Sequence, residues 1–141
     1  MTTPEVQRLG AEEFILLTTF RRSGEGVPTP VWVVPLGDGE RIGFYTTMGT
    51  GKTKRMRHTD RVLVQPCSRT GTPTPGTRPV QGTAEMVQAG PEFQEVKAAV
   101  RAKYGWQTRV FSVLGTLTTR RKKLTYGDTV VLVRPEGDAV V

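Results

Sequence analysis

The sequence contains almost none of the residues on which disulfides and most metal sites depend. One cysteine, Cys67, and one histidine, His58, stand among 141 residues. An internal disulfide, a cysteine-rich zinc site and a multi-histidine metal centre are therefore excluded, and no metal is predicted. No apolar run approaches the roughly 18 residues of a membrane-spanning helix, so no stable membrane insertion is expected. The N-terminus is acidic and lacks the layout of a signal peptide, which favours a cytoplasmic location.

Acid–base and nucleophilic groups are equally scarce. His58 lies in a basic segment, with Asp60 as the one acid beside it in sequence. Cys67 follows a proline, and free cysteines are more often small buried hydrophobes than nucleophiles. Tyr45 and Tyr126 are candidate proton donors, but no pattern singles out either of them. We therefore predict no catalytic residue, which suits a binding protein or an enzyme whose cofactor carries the chemistry.

The chain does have the length of one domain and a composition that favours strands. Its 21 threonines and 18 valines are typical of β-rich proteins. The net charge of +7 is unevenly distributed, with −2 over residues 1–50 and +9 over residues 51–141. This asymmetry predicts an anionic partner such as a phosphorylated small molecule, nucleic acid or an acidic membrane.

The pattern of apolar residues and turns predicts a mainly β fold in a single domain over residues 1–141. Six strands are predicted, over residues 14–21, 28–36, 42–47, 61–68, 80–88 and 129–135. Helices are predicted over residues 52–58, 91–104 and 108–117. Short turns make the first three strands an antiparallel meander, and the crossover through 89–128 lets the last strand return beside an early one. These features predict a small, closed or partly closed Greek-key barrel with peripheral helices, in which the last strand is central.

A glycine-rich turn followed by basic residues is the most informative motif. The run from Gly49 to Thr53, GTGKT, looks like the end of a phosphate-binding P-loop, but Thr46 occupies the position where that motif requires glycine. A turn of this kind before a short helix still presents free N–H groups and the positive end of the helix dipole to an anion. Lys52 and Arg55 share one face of that helix.

Two interpretations of this motif remain open. It is either a solvated basic turn or a phosphate site. In the second interpretation Lys52 and Arg55 bind the phosphate, and the hydroxyls of Thr46, Thr47 and Thr50 assist.

Four segments, taken in order, resemble the pyridoxamine-phosphate-oxidase-like split β-barrel superfamily. They are LLTTFRRSGEGVPTPVWVVPL, IGFYTTMGTGKTKRMRHTDRVLVQPCSRTG, VQGTAEMV and KYGWQTRVF. The resemblance covers about residues 11–135 and is closer to the flavin/deazaflavin oxidoreductases that use coenzyme F420 in actinobacteria. It implies a six-stranded antiparallel split β-barrel. It also implies a homodimer with two clefts at the subunit interface, each of which holds one cofactor.

The resemblance also implies a set of cofactor-binding residues. Lys52 and Arg55 would hold the cofactor's phosphate, with Lys54 or Arg57 nearer its acidic tail. Residues along the ring would be Thr29, Pro30, Val31 and Trp32. Those along the phosphate and sugar-alcohol chain would be Thr46, Thr47 and Gly49. Those on the floor would be Gln65, Pro66 and Cys67. For Trp32, packing within the barrel or the dimer is the alternative role.

The implied activity is the F420H2-dependent transfer of hydride to an electron-poor small molecule such as an enone, a quinone or a conjugated imine. An FMN-binding oxidoreductase of the same fold and a cofactor-binding protein without turnover are the alternatives. Nucleic-acid binding is disfavoured because the basic clusters at 52–58 and 120–123 contain no aromatic residue. The cluster at 120–123 is interpreted as solvated or as the cap of a preceding helix, with a contact to the cofactor tail as the other reading.

Overall fold

Antiparallel strands dominate the computed structural model, which describes residues 4–104 and 128–138. The helices of this part are α1 (Pro4–Gly10), α2 (Gly51–His58) and α3 (residues 91–104). Its strands are β1 (Phe14–Phe20), β2 (Gly26–Trp32), β3 (Val34–Pro35), β4 (Ile42–Thr46), β5 (Arg61–Pro66), β6 (Val80–Val87) and β7 (Thr129–Asp138). The predicted helix over 108–117, the basic cluster at 120–123 and Tyr126 lie outside the described residues.

The strands form a single curled sheet of order β2-β1-β5-β6-β7-β4-β3, in which all neighbours are antiparallel. β2 and β3 are the two edge strands of this sheet, yet only Val33 separates them in the chain, so one continuous segment supplies both edges. The sheet therefore curls into a half-barrel. β7 lies between β6 and β4, which confirms the predicted return and the central position of the last strand.

The prediction of six strands is wrong by one, because the run over residues 28–36 divides at Val33. The Val33 N–H donates to Tyr104 Oη at 3.2 Å. Its carbonyl accepts from Tyr104 Oη at 3.0 Å and from Lys103 Nζ at 2.8 Å. Since α3 supplies partners for both backbone groups, the chain can leave β1, where Trp32 pairs with Phe14, and begin pairing with β4.

Two apolar layers cover the two faces of the sheet. The inner layer fills the half-barrel and includes Val6 and Leu9 of α1 and Met56 of α2. The outer layer packs α3 against β3, β4 and β7, with Tyr104 as its largest fully buried side chain. β7 contributes alternate residues to both layers, which explains its nearly continuous run of β-branched residues.

The close approach of α3 to β4 depends on Gly43. A Cβ at this position would lie 2.8 Å from Val96 Cγ2 and 3.0 Å from Leu36 Cδ1. Gly43→Ala is therefore expected to lower the free energy of unfolding by about 1–2 kcal/mol, measured by urea denaturation. Val96→Ala should make room for the methyl group, so the double variant should lose less than the two single losses together. If the losses of the two single variants add up in the double variant, Val96 does not obstruct the added methyl group.

Candidate functional site

The turn between β4 and α2 is held by hydrogen bonds on both sides. Gly49 adopts a positive φ of 91°, which suits glycine. Its N–H donates to Thr53 Oγ1 at 3.1 Å, and Thr53 Oγ1 donates to the Thr50 carbonyl at 2.9 Å. The Met48 N–H donates to Asp128 Oδ1 at 2.8 Å, which ties the turn to the residue before β7. The backbone around the start of α2 is thus in a defined position.

The start of α2 has the properties of an anion site. Thr50 occupies the N-cap position, but its side chain makes no capping hydrogen bond, and the first turn holds no acidic residue. The first N–H groups of a helix have no acceptor within it, and they carry the positive end of its dipole. These donors therefore remain available to a phosphate or carboxylate group.

Arg55 is fixed beside this helix start. Its Nε donates to Thr19 Oγ1 of β1 at 2.6 Å, and Thr19 is only 1% exposed. Its guanidinium folds back over the first residue of α2, since a Cβ on Gly51 would lie 2.8 Å from Arg55 Nη1. The glycine at position 51 therefore gives room for the guanidinium, and the buried hydroxyl orients it.

Positive charge at the helix start is only weakly compensated. Burial lowers the pKa of Lys52, and the nearby Arg55 lowers it further. Burial also lowers the pKa of Arg55, and Arg21 adds to this effect. Both shifts arise from burial and then from a neighbouring cation, with no carboxylate among their causes. A bound anion would supply a counter-charge and raise both pKa values.

The lowered pKa of Lys52 sets the expected pH dependence of anion binding. Only the protonated amine attracts an anion, so affinity should be complete below that pKa and should fall as the pH rises through it. The fall should begin below the ordinary lysine value of 10.5. Titration of a phosphorylated ligand between about pH 7 and pH 10 measures this dependence. Lys52→Gln should bind more weakly and lose the pH dependence; an unchanged pH profile in that variant would assign the titration to another group.

The remaining predicted site residues flank β1 on its two sides. Leu16 of β1 pairs with Pro30 of β2 and with Gln65 of β5. The Gln65 amide donates to the Thr77 carbonyl at 3.1 Å, so it holds the loop between β5 and β6. These pairings bring the segments 29–32 and 65–67 together across one strand.

Trp32 has one ring face covered. The Trp32 and Tyr104 rings are stacked, with centroids 4.4 Å apart and an interplanar angle of 6°. Trp32 is also packed against the outer apolar layer under α3. Only its other face or its edge is therefore accessible to a ligand.

The predicted residues consequently fall into two groups rather than one. The first group surrounds the start and first turns of α2 and consists of Thr46, Thr47, Gly49, Thr50, Lys52, Lys54 and Arg55. The second group flanks β1 and consists of Thr29, Pro30, Val31, Trp32, Gln65, Pro66 and Cys67. Thr19, which binds Arg55, lies three residues along β1 from Leu16, or about 10 Å. Thr19 faces the barrel interior, whereas Leu16 faces outward. A ligand that contacts both groups must therefore extend along this edge of the sheet.

Other chemistry receives little support from the described residues. Burial raises the pKa of the Cys67 thiol, and Glu12 raises it further, so the thiol is a weak nucleophile. In ranges 4–104 and 128–138, no three His, Cys, Asp or Glu residues cluster as metal ligands. No helix within these ranges is long and apolar enough to cross a membrane.

Sequence reasoning did not identify Thr19 or Asp128 as residues that support this site. Alternation along β1 indicates that Thr19 faces inward, but it does not indicate that Arg55 reaches it. Asp128 follows a segment without a clear periodic pattern, so no signal connected it with Met48. Both contacts depend on how distant elements pack together.

A curled antiparallel sheet with a short basic helix between its fourth and fifth strands is an oxidoreductase-like split-barrel fold. The family model described as pyridoxamine 5'-phosphate oxidase matches residues 2–133, and the chain belongs to this family. The family resemblance found in the sequence is thereby confirmed. No curated protein sequence is significantly similar to the chain.

Solved structures share the fold at low sequence identity. HupZ from Group A Streptococcus is 13% identical with a TM-score of 0.62, over 96% of this chain and 90% of that one. A putative pyridoxamine 5'-phosphate oxidase from Lactobacillus delbrueckii is 13% identical with a TM-score of 0.57, over 96% and 90%. An F420 reductase is 19% identical with a TM-score of 0.57, over 92% and 91%. Identities of this size establish the fold alone.

Proposed function

We propose that the protein binds coenzyme F420 and acts as an F420H2-dependent oxidoreductase on an electron-poor small molecule. The observation that carries the proposal is the start of α2, where Lys52, Arg55 and the first-turn N–H groups converge in a fold of flavin-type oxidoreductases. The likeness to an F420 reductase is consistent with this cofactor. A homodimer in the cytoplasm is part of the proposal.

The donor set fits the phosphate of such a cofactor. Lys52 and Arg55 provide two cations without an acid in the first turn of the helix, and Thr19 orients the Arg55 guanidinium. Backbone N–H groups beside Gly51 can donate to phosphate oxygens without a side-chain competitor. These groups bind and position one end of the ligand.

The segments beside β1 would orient the cofactor's ring. Thr29, Pro30, Val31 and Trp32 would lie along it, and the stacked Tyr104 would keep Trp32 in place. When bound, the cofactor would supply a hydride for an acceptor such as an enone, a quinone or a conjugated imine. The protein's residues would bind the cofactor, exclude water and leave the acceptor side open. No side chain is assigned as a proton donor.

FMN is the second candidate cofactor. The matching family model is described as pyridoxamine 5'-phosphate oxidase, and FMN also carries a phosphate that Lys52 and Arg55 would bind. A protein that binds either cofactor without turnover would use the same residues. The phosphate site therefore does not separate these candidates, and a direct comparison of cofactors is required.

Titration of the purified protein with F420, FMN and a random oligonucleotide, followed by fluorescence, compares the three ligands. F420 should bind most tightly, and Lys52→Ala should raise its Kd about tenfold, since one charged phosphate contact is lost. Lys97→Ala is the matched control, because Lys97 lies on α3 over the Phe93 ring. The Kd of that variant should change less than about twofold.

Three outcomes would change the assignment. Tighter binding of FMN than of F420 would replace the cofactor. No F420 binding, or equal effects of Lys52→Ala and Lys97→Ala, would reject the phosphate site. Binding without F420H2 oxidation across a panel of enones, quinones and imines would favour the protein without turnover. Sedimentation velocity tests the homodimer separately.

A further inference from the structure

A second concentration of positive charge lies in a groove between the end of β1 and α2. We call it the cationic groove; its volume is about 460 Å³, and its lining consists of Phe20, Arg21, Arg22, Lys54, Arg55, Arg57 and His58. Arg21, Arg22, Phe20 and His58 are outside the set predicted to bind a cofactor. Two separate elements therefore supply cations to one space.

The cationic groove holds five formal positive charges and His58 without a carboxylate in its lining. Glu25 is paired with Arg21 at 3.2 Å, but their side chains are 68% and 56% exposed, so this pair is weak. Burial lowers the pKa of Arg55, and the nearby positive charge of Arg21 lowers it further. The groove is thus an electrostatically unfavourable arrangement that an anion would relieve.

Helix chemistry explains only part of this arrangement. Arg57 and His58 lie in the last turn of α2, where cations interact favourably with the negative end of the helix dipole. Arg21 and Arg22 follow β1 and have no such reason to lie there. The Arg61 guanidinium lies 4.4 Å from the centroid of the Phe20 ring, and Phe20 contributes an apolar wall to the groove. The convergence of β1 and α2 therefore requires an explanation beyond capping.

We propose that the cationic groove binds an oligophosphate, a compact chain of two or more phosphate groups, as a site that shares Arg55 with the start of α2 and extends from it to Arg21 and Arg22. The lining of the groove places five cations around a volume of about 460 Å³, so a matching ligand must carry several negative charges in a small volume. A terminal phosphate carries about 1.5 to 2 charges at neutral pH, whereas a carboxylate carries one. Arginine, which supplies four of the five cations, binds phosphate oxygens in a bidentate manner.

Isothermal titration calorimetry with sodium tripolyphosphate tests the proposal. The comparison probes are orthophosphate, a triglutamate peptide and a single-stranded oligonucleotide. Tripolyphosphate should bind at least about tenfold more tightly than orthophosphate or triglutamate. Replacing Arg21 and Arg22 together by glutamine should weaken tripolyphosphate binding about tenfold. The control, Arg8 and Arg101 together replaced by glutamine, removes the same charge from exposed positions on α1 and α3 and should leave the Kd within about twofold.

Several results would overturn the inference. Equal losses in the two double variants would mean that only net charge matters. Tighter binding of triglutamate would reassign the groove to an acidic tail of the cofactor, and tighter binding of the oligonucleotide would reassign it to nucleic acid. F420 titration of the Arg21/Arg22 variant keeps the two proposals separate: unchanged F420 affinity with lost tripolyphosphate binding is the expected pair. Loss of both together would show that the groove is part of the cofactor site.

Discussion

Replacing Lys103 with methionine is expected to lower the free energy of unfolding by about 3 kcal/mol. The Lys103 ammonium donates to the carbonyls of Gly10, Glu12 and Val33 at 2.7, 2.5 and 2.8 Å. It thereby joins the end of α1, the segment before β1 and the break between β2 and β3. Methionine would fill similar space but would leave the three carbonyls without this donor. The loss of stability should therefore be greatest at the break between β2 and β3, where the chain changes its pairing partner.

The three hydrogen bonds are not simply additive. Burial lowers the pKa of Lys103, although Glu12 and Glu13 raise it. Desolvation of the ammonium therefore offsets part of the stability that the three hydrogen bonds contribute. An expected loss of about 3 kcal/mol corresponds to a fall in Tm of roughly 10 °C for a chain of this size. Circular dichroism during heating and in urea measures both quantities.

Lys97→Met is the matched control, because Lys97 lies on the same helix and its ammonium is 5.1 Å from the Phe93 ring. The free energy of unfolding of this variant should fall by less than about 1 kcal/mol. Equal losses in the two variants would show that the carbonyls find water or other donors. Tyr104→Phe removes a hydroxyl whose single proton is shared between the Glu13 and Val33 carbonyls, at 2.7 and 3.0 Å. Since Lys103 also donates to the Val33 carbonyl, Tyr104→Phe should add less to the Lys103→Met loss than its own separate loss.

The strands were predictable from sequence, because their apolar alternation and turns are local. The Val80–Val87 strand places Val80, Gly82, Ala84 and Met86 toward the interior, as alternation predicts. The division at Val33 was not predictable, because its cause lies in residues 103 and 104, about 70 positions away. α1 was missed because seven residues with two buried side chains, Val6 and Leu9, give too short a periodic pattern.

The candidate site was predictable to the same local extent. Residues 52–58 were expected to be a basic helix after a glycine turn, and the helix runs from Gly51 to His58. The sequence could not place Arg21 and Arg22 beside Arg57, since the contact between α2 and β1, which includes the Arg55–Thr19 hydrogen bond, is a tertiary one. Nor could it show that Gln65 holds the loop through Thr77. The sequence shows which residues are charged, whereas which charged residues come together depends on the tertiary structure.

Arg55→Met is expected to raise the Kd for F420 about a hundredfold, a larger effect than that of Lys52→Ala. The substitution removes the charge, the two-pronged donor and the contact with Thr19 at once. Lysine at this position would restore the charge but could not reach both Thr19 and the space over Gly51, so Arg55→Lys should recover only part of the affinity. Fluorescence titration measures all three proteins.

Thr19→Val separates positioning from charge, because it leaves Arg55 in place and removes only its acceptor. F420 affinity should fall about three- to tenfold. The dependence of Kd on salt concentration should stay the same, since the number of cations is unchanged. Thermal denaturation of each variant checks that the fold is retained. Full affinity in Arg55→Lys would contradict the oriented guanidinium and leave only a requirement for positive charge at the start of α2.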